Sequence, residues 1–203
     1  MKVYQVSVGP MQNFSYIVED ESTHEAIVID PSWDLEKLTE IINEQNLNPK
    51  YIINTHWHDD HTRGNEDLAK ELSVKIVQHS ASQLKNDLTV SDGDSIKFGC
   101  SELAVYHTPG HSKDSICLVG DGKIFSGDTL FVGNCGRIDL PGGSARELYH
   151  SLSDVIVNLS DDLVLYPGHD YGSSSTSTIG KEKQTNPVMQ KMSENEFVER
   201  MGG

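Results

Sequence analysis

The chain has 203 residues, 36% of them hydrophobic, which suffices for one substantial core, and its 31 acidic against 16 basic side chains leave a formal net charge of −15. So acidic a balance repels phosphate backbones and argues against nucleic acid as a partner. No run reaches the roughly 18 to 20 apolar residues that span a bilayer, and MKVYQVSVGP lacks the apolar stretch of a secretory leader, so a cytoplasmic protein with no membrane partner is expected.

Hydrophobic patterning predicts strands over Lys2 to Val8, Ser15 to Glu19 and Glu25 to Asp30. A helix follows from about Asp34 to Asn46, with Leu35, Leu38, Ile41 and Ile42 on one face. The strand Lys50 to Thr55 comes next, then a helix over Asn65 to Leu72 and a strand over Val74 to His79. Beyond the turn at Asp92 and Gly93, strands are predicted at Ser95 to Phe98 and Glu102 to His107. Ile116 to Val119 should pair with Lys123 to Ser126 across the Asp121 and Gly122 turn. Ser144 and Glu147 have capping-box spacing, which predicts a helix running to about Leu159 with Leu148, Leu152, Val155, Ile156 and Leu159 inward. A strand at Asp162 to Tyr166, a polar loop at Gly172 to Gly180 and a short helical tail complete the chain. Two sheets packed face to face with helices outside fit this order.

Cys100, Cys117 and Cys135 are odd in number and form no CxxC pair, so neither a disulfide framework nor a thiolate metal site is indicated. The histidines carry the stronger signal. THWHDDH at Thr55 to His61 sits where an apolar strand ends, and TPGH at Thr108 to His111, SGD at Ser126 to Asp128 and PGHD at Pro167 to Asp170 repeat that placement. Strand-end loops are where a rigid scaffold holds reactive groups. Crowded imidazoles repel as they charge unless a cation collects their lone pairs, and imidazole with carboxylate suits zinc, iron or manganese. His24, His79, His107 and His150 have no such company and are taken as ordinary surface or packing residues.

HWHDDH, followed by His111, Asp128 and His169 in those contexts, resembles the HxHxDH signature of the metallo-β-lactamase-fold superfamily over nearly the whole chain. The resemblance implies an α/β fold, an αββα sandwich of two mixed β-sheets flanked by helices, with a metal centre at one edge. A single domain over 1–203 is expected, with 172–203 as a loop and short C-terminal extension.

Within that superfamily TPGHSKDSICL, FSGDTLF and CGR are similar to the glyoxalase II branch, which cleaves the thioester of acyl-glutathione conjugates. That likeness implies two divalent ions, zinc first, with iron or manganese as alternatives. His56, His58 and His111 would hold one ion and Asp60, His61 and His169 the other, with Asp128 bridging. Asp60 and Asp128 would be the catalytic carboxylates that orient the nucleophile.

CGRID, PGHDY, the Asn186–Pro187 pair and Glu196 to Val198 resemble the persulfide dioxygenases of the same fold instead. That likeness implies a single Fe(II), which His56, His111 and Asp128 would hold here. LPGG after Asp139 departs from their usual wording, and CGRIDLPGG departs from that of glyoxalase II. Either reading implies a small thioester or thiol-derived substrate. Arg137 is expected at the cavity mouth, pairing with a substrate carboxylate, and Tyr171 along its wall, while Trp57 should pack into the scaffold. Composition leaves the oligomeric state open, a homodimer included.

Overall fold

The computed structural model describes residues 1–202. Twelve strands form two six-stranded sheets. The first holds β1 (Lys2–Val8), β2 (Asn13–Glu19), β3 (Glu25–Ile29), β4 (Asn48–Ile53), β5 (Lys75–His79) and β6 (Leu88–Val90), in that spatial order. The second runs β12 (Ser177–Thr178), β11 (Val164–Pro167), β10 (Lys123–Gly127), β9 (Ile116–Gly120), β8 (Ser101–His107) and β7 (Ser95–Phe98). Both sheets are mixed: β3 to β6 pair in parallel, as do β10 and β11, and the remaining neighbours are antiparallel.

Strand periodicity explains the layering. All seven residues of β2 are buried, because alternate side chains serve two different cores. Phe14, Tyr16 and Val18 join Ile27, Ile29, Phe98, Leu103 and Phe125 between the sheets. On the outer face Ile17, Val28 and Ile52 pack with Leu38, Ile42 and Leu68 from helices α1 (Leu35–Glu44) and α3 (Asn65–Leu72). On the far side Ile124 and Leu165 pack with Leu148 of α4 (Ala145–His150), Ile179 of α5 (Ile179–Thr185) and Phe197 of α6 (Glu194–Arg200). This is the αββα sandwich the resemblance implied. No helix among the described residues is long and apolar enough to cross a membrane.

Several local readings change. The predicted Ser144 helix is three pieces: α4, a π-helical turn over Ser151–Val155 and a 3-10 turn over Ile156–Asn158. Only half of its capping box forms. Ser144 Oγ accepts from the Glu147 amide at 3.3 Å, but the Ser144 N–H is drawn to the Gly110 carbonyl at 2.7 Å. A complete capping box occurs at Ser193 and Glu196, opening α6. The expected loop at Gly172 to Gly180 contains β12 and the start of α5, whose first turn Thr178 caps with its hydroxyl. The short α2 (Asp59–Thr62) and β6 were not predicted either.

The ends of β4, β8, β10 and β11 meet along one edge of the sandwich. The Ile116 amide donates to the Thr55 carbonyl at 2.9 Å, and the Phe14 amide to that of Gly168 at 2.9 Å, so backbone bonds join the two sheets there.

Candidate metal centre

Each motif lands on that edge. β4 leads into His56 and His58, α2 carries Asp60 and His61, and the loops after β8, β10 and β11 deliver His111, Asp128 and His169. All are buried except Asp60, which is half-buried. Three groups have donors close enough to share an ion: His56 with His58 and His111, Asp60 with His61 and His169, and Asp30 with His56 and His61, the last drawing on one ring from each of the other two. Asp128 lies between the first two. Its Oδ2 is 3.4 Å from His111 Nε2 and 3.3 Å from His169 Nε2, while its Oδ1 is 3.4 Å from His61 Nε2.

The outer nitrogens fix which atoms face inward. Nδ1 of His61 faces Asp30 Oδ2 at 3.0 Å, Nδ1 of His169 the Met11 carbonyl at 2.9 Å, and Nδ1 of His111 the Arg137 carbonyl at 2.7 Å. A carbonyl or carboxylate only accepts, so each Nδ1 carries the hydrogen and each Nε2 presents a lone pair in the neutral ring. Nε2 of His61 and Nε2 of His169 then face each other at 3.2 Å. Two lone pairs at that distance repel unless a positive charge lies between them. Nε2 of His56 and Oδ1 of Asp128 are also buried with no hydrogen-bond partner. This donor set fits divalent metal ions.

The electrostatics agree. Burial and the facing rings of His61, His111 and His58 hold His56 well below the usual imidazole range, and burial with the His111 ring lowers His58 to about 4. Both rings stay neutral, as ligation requires. Burial alone would lower His169, yet Asp128 and Asp60 outweigh it and raise the ring to about 10. His61 is raised for the same reason, by Asp128, Asp30 and Asp60 against burial. Burial opposes charge on Asp128, but the rings of His61, His169 and His111 hold its carboxyl well below the ordinary range. Carboxylates thus favour positive charge here, whether proton or metal.

Asp30, Asn13 and Thr55 were missed by the motif reading. Asp30 accepts from the Thr55 amide at 2.7 Å and the Thr55 hydroxyl at 2.6 Å as well as from His61, so it supports the group from below. Asn13 Nδ2 donates to Asp60 Oδ2 at 3.0 Å, and Thr55 Oγ1 lies 3.1 Å from His56 Nδ1. Asp30 had a signal: it is a carboxylate ending an apolar strand, as the other site residues do.

A cavity of about 240 Å³ opens over the centre, walled by Met11, Phe131, Leu140, Arg137 and Tyr171. Tyr171 stacks on the His169 ring, 4.5 Å between centroids and 12° between planes, and Phe131 meets both edge-on. Arg137 lines this cavity with an exposed guanidinium that makes a paired bond to Asp139 at 2.6 and 2.5 Å. Trp57 is half-buried against His58, in the scaffold. The four remaining histidines stand apart from the candidate groups; His79 and His107 stack on each other at 4.0 Å, and His24 and His150 meet carboxylates.

An αββα sandwich with clustered histidines and carboxylates at one sheet edge defines a metal-binding enzyme. The metallo-beta-lactamase superfamily profile matches residues 8–169, and the chain belongs to that superfamily. The persulfide dioxygenase ETHE1 of Homo sapiens, named as mitochondrial, is 36% identical over 193 residues, covering 93% of this chain and 76% of that protein. A hydroxyacylglutathione hydrolase of Tolumonas auensis is 36% identical over 178 residues, covering 85% and 68%. The crystal structure of ETHE1 from Myxococcus xanthus superposes with a TM-score of 0.94 at 32% identity, over 100% of this chain and 91% of that one.

Proposed function

We propose that this chain is a two-ion hydrolase of small thioesters such as acyl-glutathione or a related acyl-thiol. The observation that carries the reading is Asp128, whose carboxylate lies between the two donor groups: Oδ2 is within 3.4 Å of His111 in one and His169 in the other, and Oδ1 faces His61. His56, His58 and His111 would hold one ion and Asp60, His61 and His169 the other, zinc being the first choice for imidazole and carboxylate donors. What the ions supply is Lewis acidity, which ionises water near neutral pH and polarises a carbonyl.

The chain's own groups do the rest. Asp60, held by Asn13, and Asp128 orient the attacking water, and Asp60 Oδ2 receives its proton. The departing thiol, of ordinary pKa about 8.5, leaves as thiolate without a strong acid beside it. Met11, Phe131, Leu140 and Tyr171 give the acyl-thiol an apolar wall that excludes water, and Arg137 binds its polar end. The proposed compartment is the cytoplasm, a reading supported by three free cysteines.

A second reading is favoured by the likeness to ETHE1 across almost the full chain. Under it His56, His111 and Asp128 would hold one Fe(II), while His58, Asp60, His61 and His169 would support it by hydrogen bonds, and a persulfide, oxygen and water would give the thiol and sulfite. Metal analysis of protein purified without added metal separates the two. It is paired with thiol release from S-lactoylglutathione and oxygen uptake with glutathione persulfide. Two zinc ions per chain with thiol release supports hydrolysis; one iron with oxygen uptake removes it.

A further inference from the structure

The wall of the cavity is held from behind by two buried polar residues on the far side of the second sheet. Glu182 is 1% exposed and Asn186 is 0% exposed, one helical turn apart at the end of α5. Neither touches the candidate metal centre. Every side-chain polar contact they make beyond their own helix end, apart from the Ser177 hydroxyl, goes to the backbone of Phe131 to Asn134.

The Gly133 amide donates to Glu182 Oε2 at 2.8 Å. Asn186 Nδ2 donates to the carbonyls of Phe131 and Asn134 at 3.2 and 3.1 Å, and to Glu182 Oε2 at 2.9 Å. The turn also closes on itself, the Phe131 amide reaching the Asn134 carbonyl at 2.8 Å. A buried carboxylate with no cation beside it is costly unless donors surround it, and here one of those donors is the turn. If the turn moves, both buried side chains lose partners.

What this turn carries is the substrate side of the cavity. Phe131 projects against His169 and Tyr171, Asn134 and Cys135 line the cavity, and the chain continues to Arg137 on the same wall. The site's metal-facing atoms are tied to other supports: Asp30, Thr55, Asn13 and the Met11 carbonyl. One thread crosses over, the Arg137 carbonyl that orients His111, but Gly136 is separately pinned by its amide to the Asp128 carbonyl at 2.9 Å.

We propose that Glu182 and Asn186 are positioning residues for substrate binding: they set the Phe131 to Arg137 wall and so govern KM, while kcat and metal content belong to the groups across the cavity. The proposal rests on the thioester or persulfide reading of the site for its substrate, but its geometry does not.

The test compares Asn186→Ala, Glu182→Ala and the near-isosteric Glu182→Gln with wild type, using whichever of S-lactoylglutathione or glutathione persulfide the wild type turns over. Thr185→Ala, an exposed change on the same helix, is the control. The alanine variants should raise KM about tenfold with kcat within twofold and metal content unchanged. Glu182→Gln keeps an acceptor for the Gly133 amide and should restore KM to within about threefold. Unchanged KM in Asn186→Ala, or kcat falling in step with metal content, overturns the proposal. Should an alanine variant fail to fold, Asn186→Ser, which stays polar but cannot reach the Phe131 and Asn134 carbonyls, reads the same KM rise against the control. If wild type turns over neither substrate, the functional reading has failed and amide hydrogen exchange decides this one. Gly133 and Asn134 should exchange at least tenfold faster in the variants while β10 is unaltered, and equal rates would refute the positioning role.

Discussion

Asp30 Oδ2 lies 3.0 Å from His61 Nδ1, and both side chains are almost fully buried. The pair fixes the ring's tautomer and rotation, so His61 can offer only Nε2 to the cavity. Supports of this kind behind a proposed ligand typically change metal affinity by about 10 to 100-fold. Asp30→Asn swaps one carboxylate oxygen for an NH2 group, leaving a donor opposed to the Thr55 amide or to His61 and Thr55 Oγ1. The expected outcome is metal affinity lower by about tenfold or more, read by competition with a chromogenic chelator. Affinity within twofold of wild type would show that Asp30 serves Thr55 alone.

How far the site was legible follows from what kind of atom does each job. His56, His58, Asp60, His61, His111, Asp128 and His169 announce themselves, since ligating side chains of those types at strand ends have few other uses. Two of their five supports are backbone carbonyls, those of Met11 and Arg137, which any residue could provide and which leave no mark in a sequence. The layering was legible because apolar runs long enough for strands alternate with amphipathic helices. Helix α5 was hidden because its cap, Thr178, closes a run of serines and threonines that reads as loop until its partners are known. The Ser144 capping box half-failed for a tertiary reason: its amide had a better partner in the Gly110 carbonyl.

Gly110 allows a close approach. Its φ is +137°, and a Cβ there would sit 2.3 Å from the backbone N and Cα of Leu148 in α4. An alanine must therefore push the helix away or move the loop that carries His111. Overpacking and the disfavoured dihedral together cost about 2 to 5 kcal/mol. Gly110→Ala should show that loss in urea unfolding and also a lower metal content, because the displaced residue adjoins His111. A variant with wild-type stability and metal content would show that the loop has slack not seen here.

Chelator-stripped protein should have a stability maximum near neutral pH. His58 has a folded pKa of about 4 against an ordinary 6.5, so as pH falls from 6.5 to 4 the unfolded chain takes up a proton that the folded chain refuses, and stability drops. His169 has the opposite shift, to about 10, so its contribution is full below 6.5 and is lost as pH rises from there to 10. Melting temperature measured across pH 5 to 9 should peak in between, and the metal-loaded protein should be flatter on the alkaline side because a cation replaces the proton on His169. A monotonic rise of the stripped protein's melting temperature to pH 9 would contradict the assigned charge on His169.

Cys135 borders the cavity but is buried, and burial pushes its thiol up to about 12. A thiol so protonated is a poor nucleophile at neutral pH. Iodoacetamide should modify Cys100, which is exposed, and spare Cys135 and Cys117 in the folded protein. Cys135→Ala should keep kcat within about twofold, since no covalent step is assigned to it. Rapid alkylation of Cys135 accompanied by loss of turnover would assign it a direct role.

The two functional readings share every residue, so they separate only when one donor group is removed. Asp60→Ala with His169→Ala deletes two donors of the second group but leaves His56, His58, His111 and Asp128 in place. Under the hydrolase reading the second ion is lost, and thiol release falls by roughly three orders of magnitude, because water activation and carbonyl polarisation were divided between two ions. Under the dioxygenase reading the deleted groups only support the iron, so one iron per chain persists and oxygen uptake falls by about 10 to 100-fold. Metal content and both assays on the one variant distinguish these cases. Retention of two ions per chain would remove Asp60 and His169 from the proposed ligand set altogether.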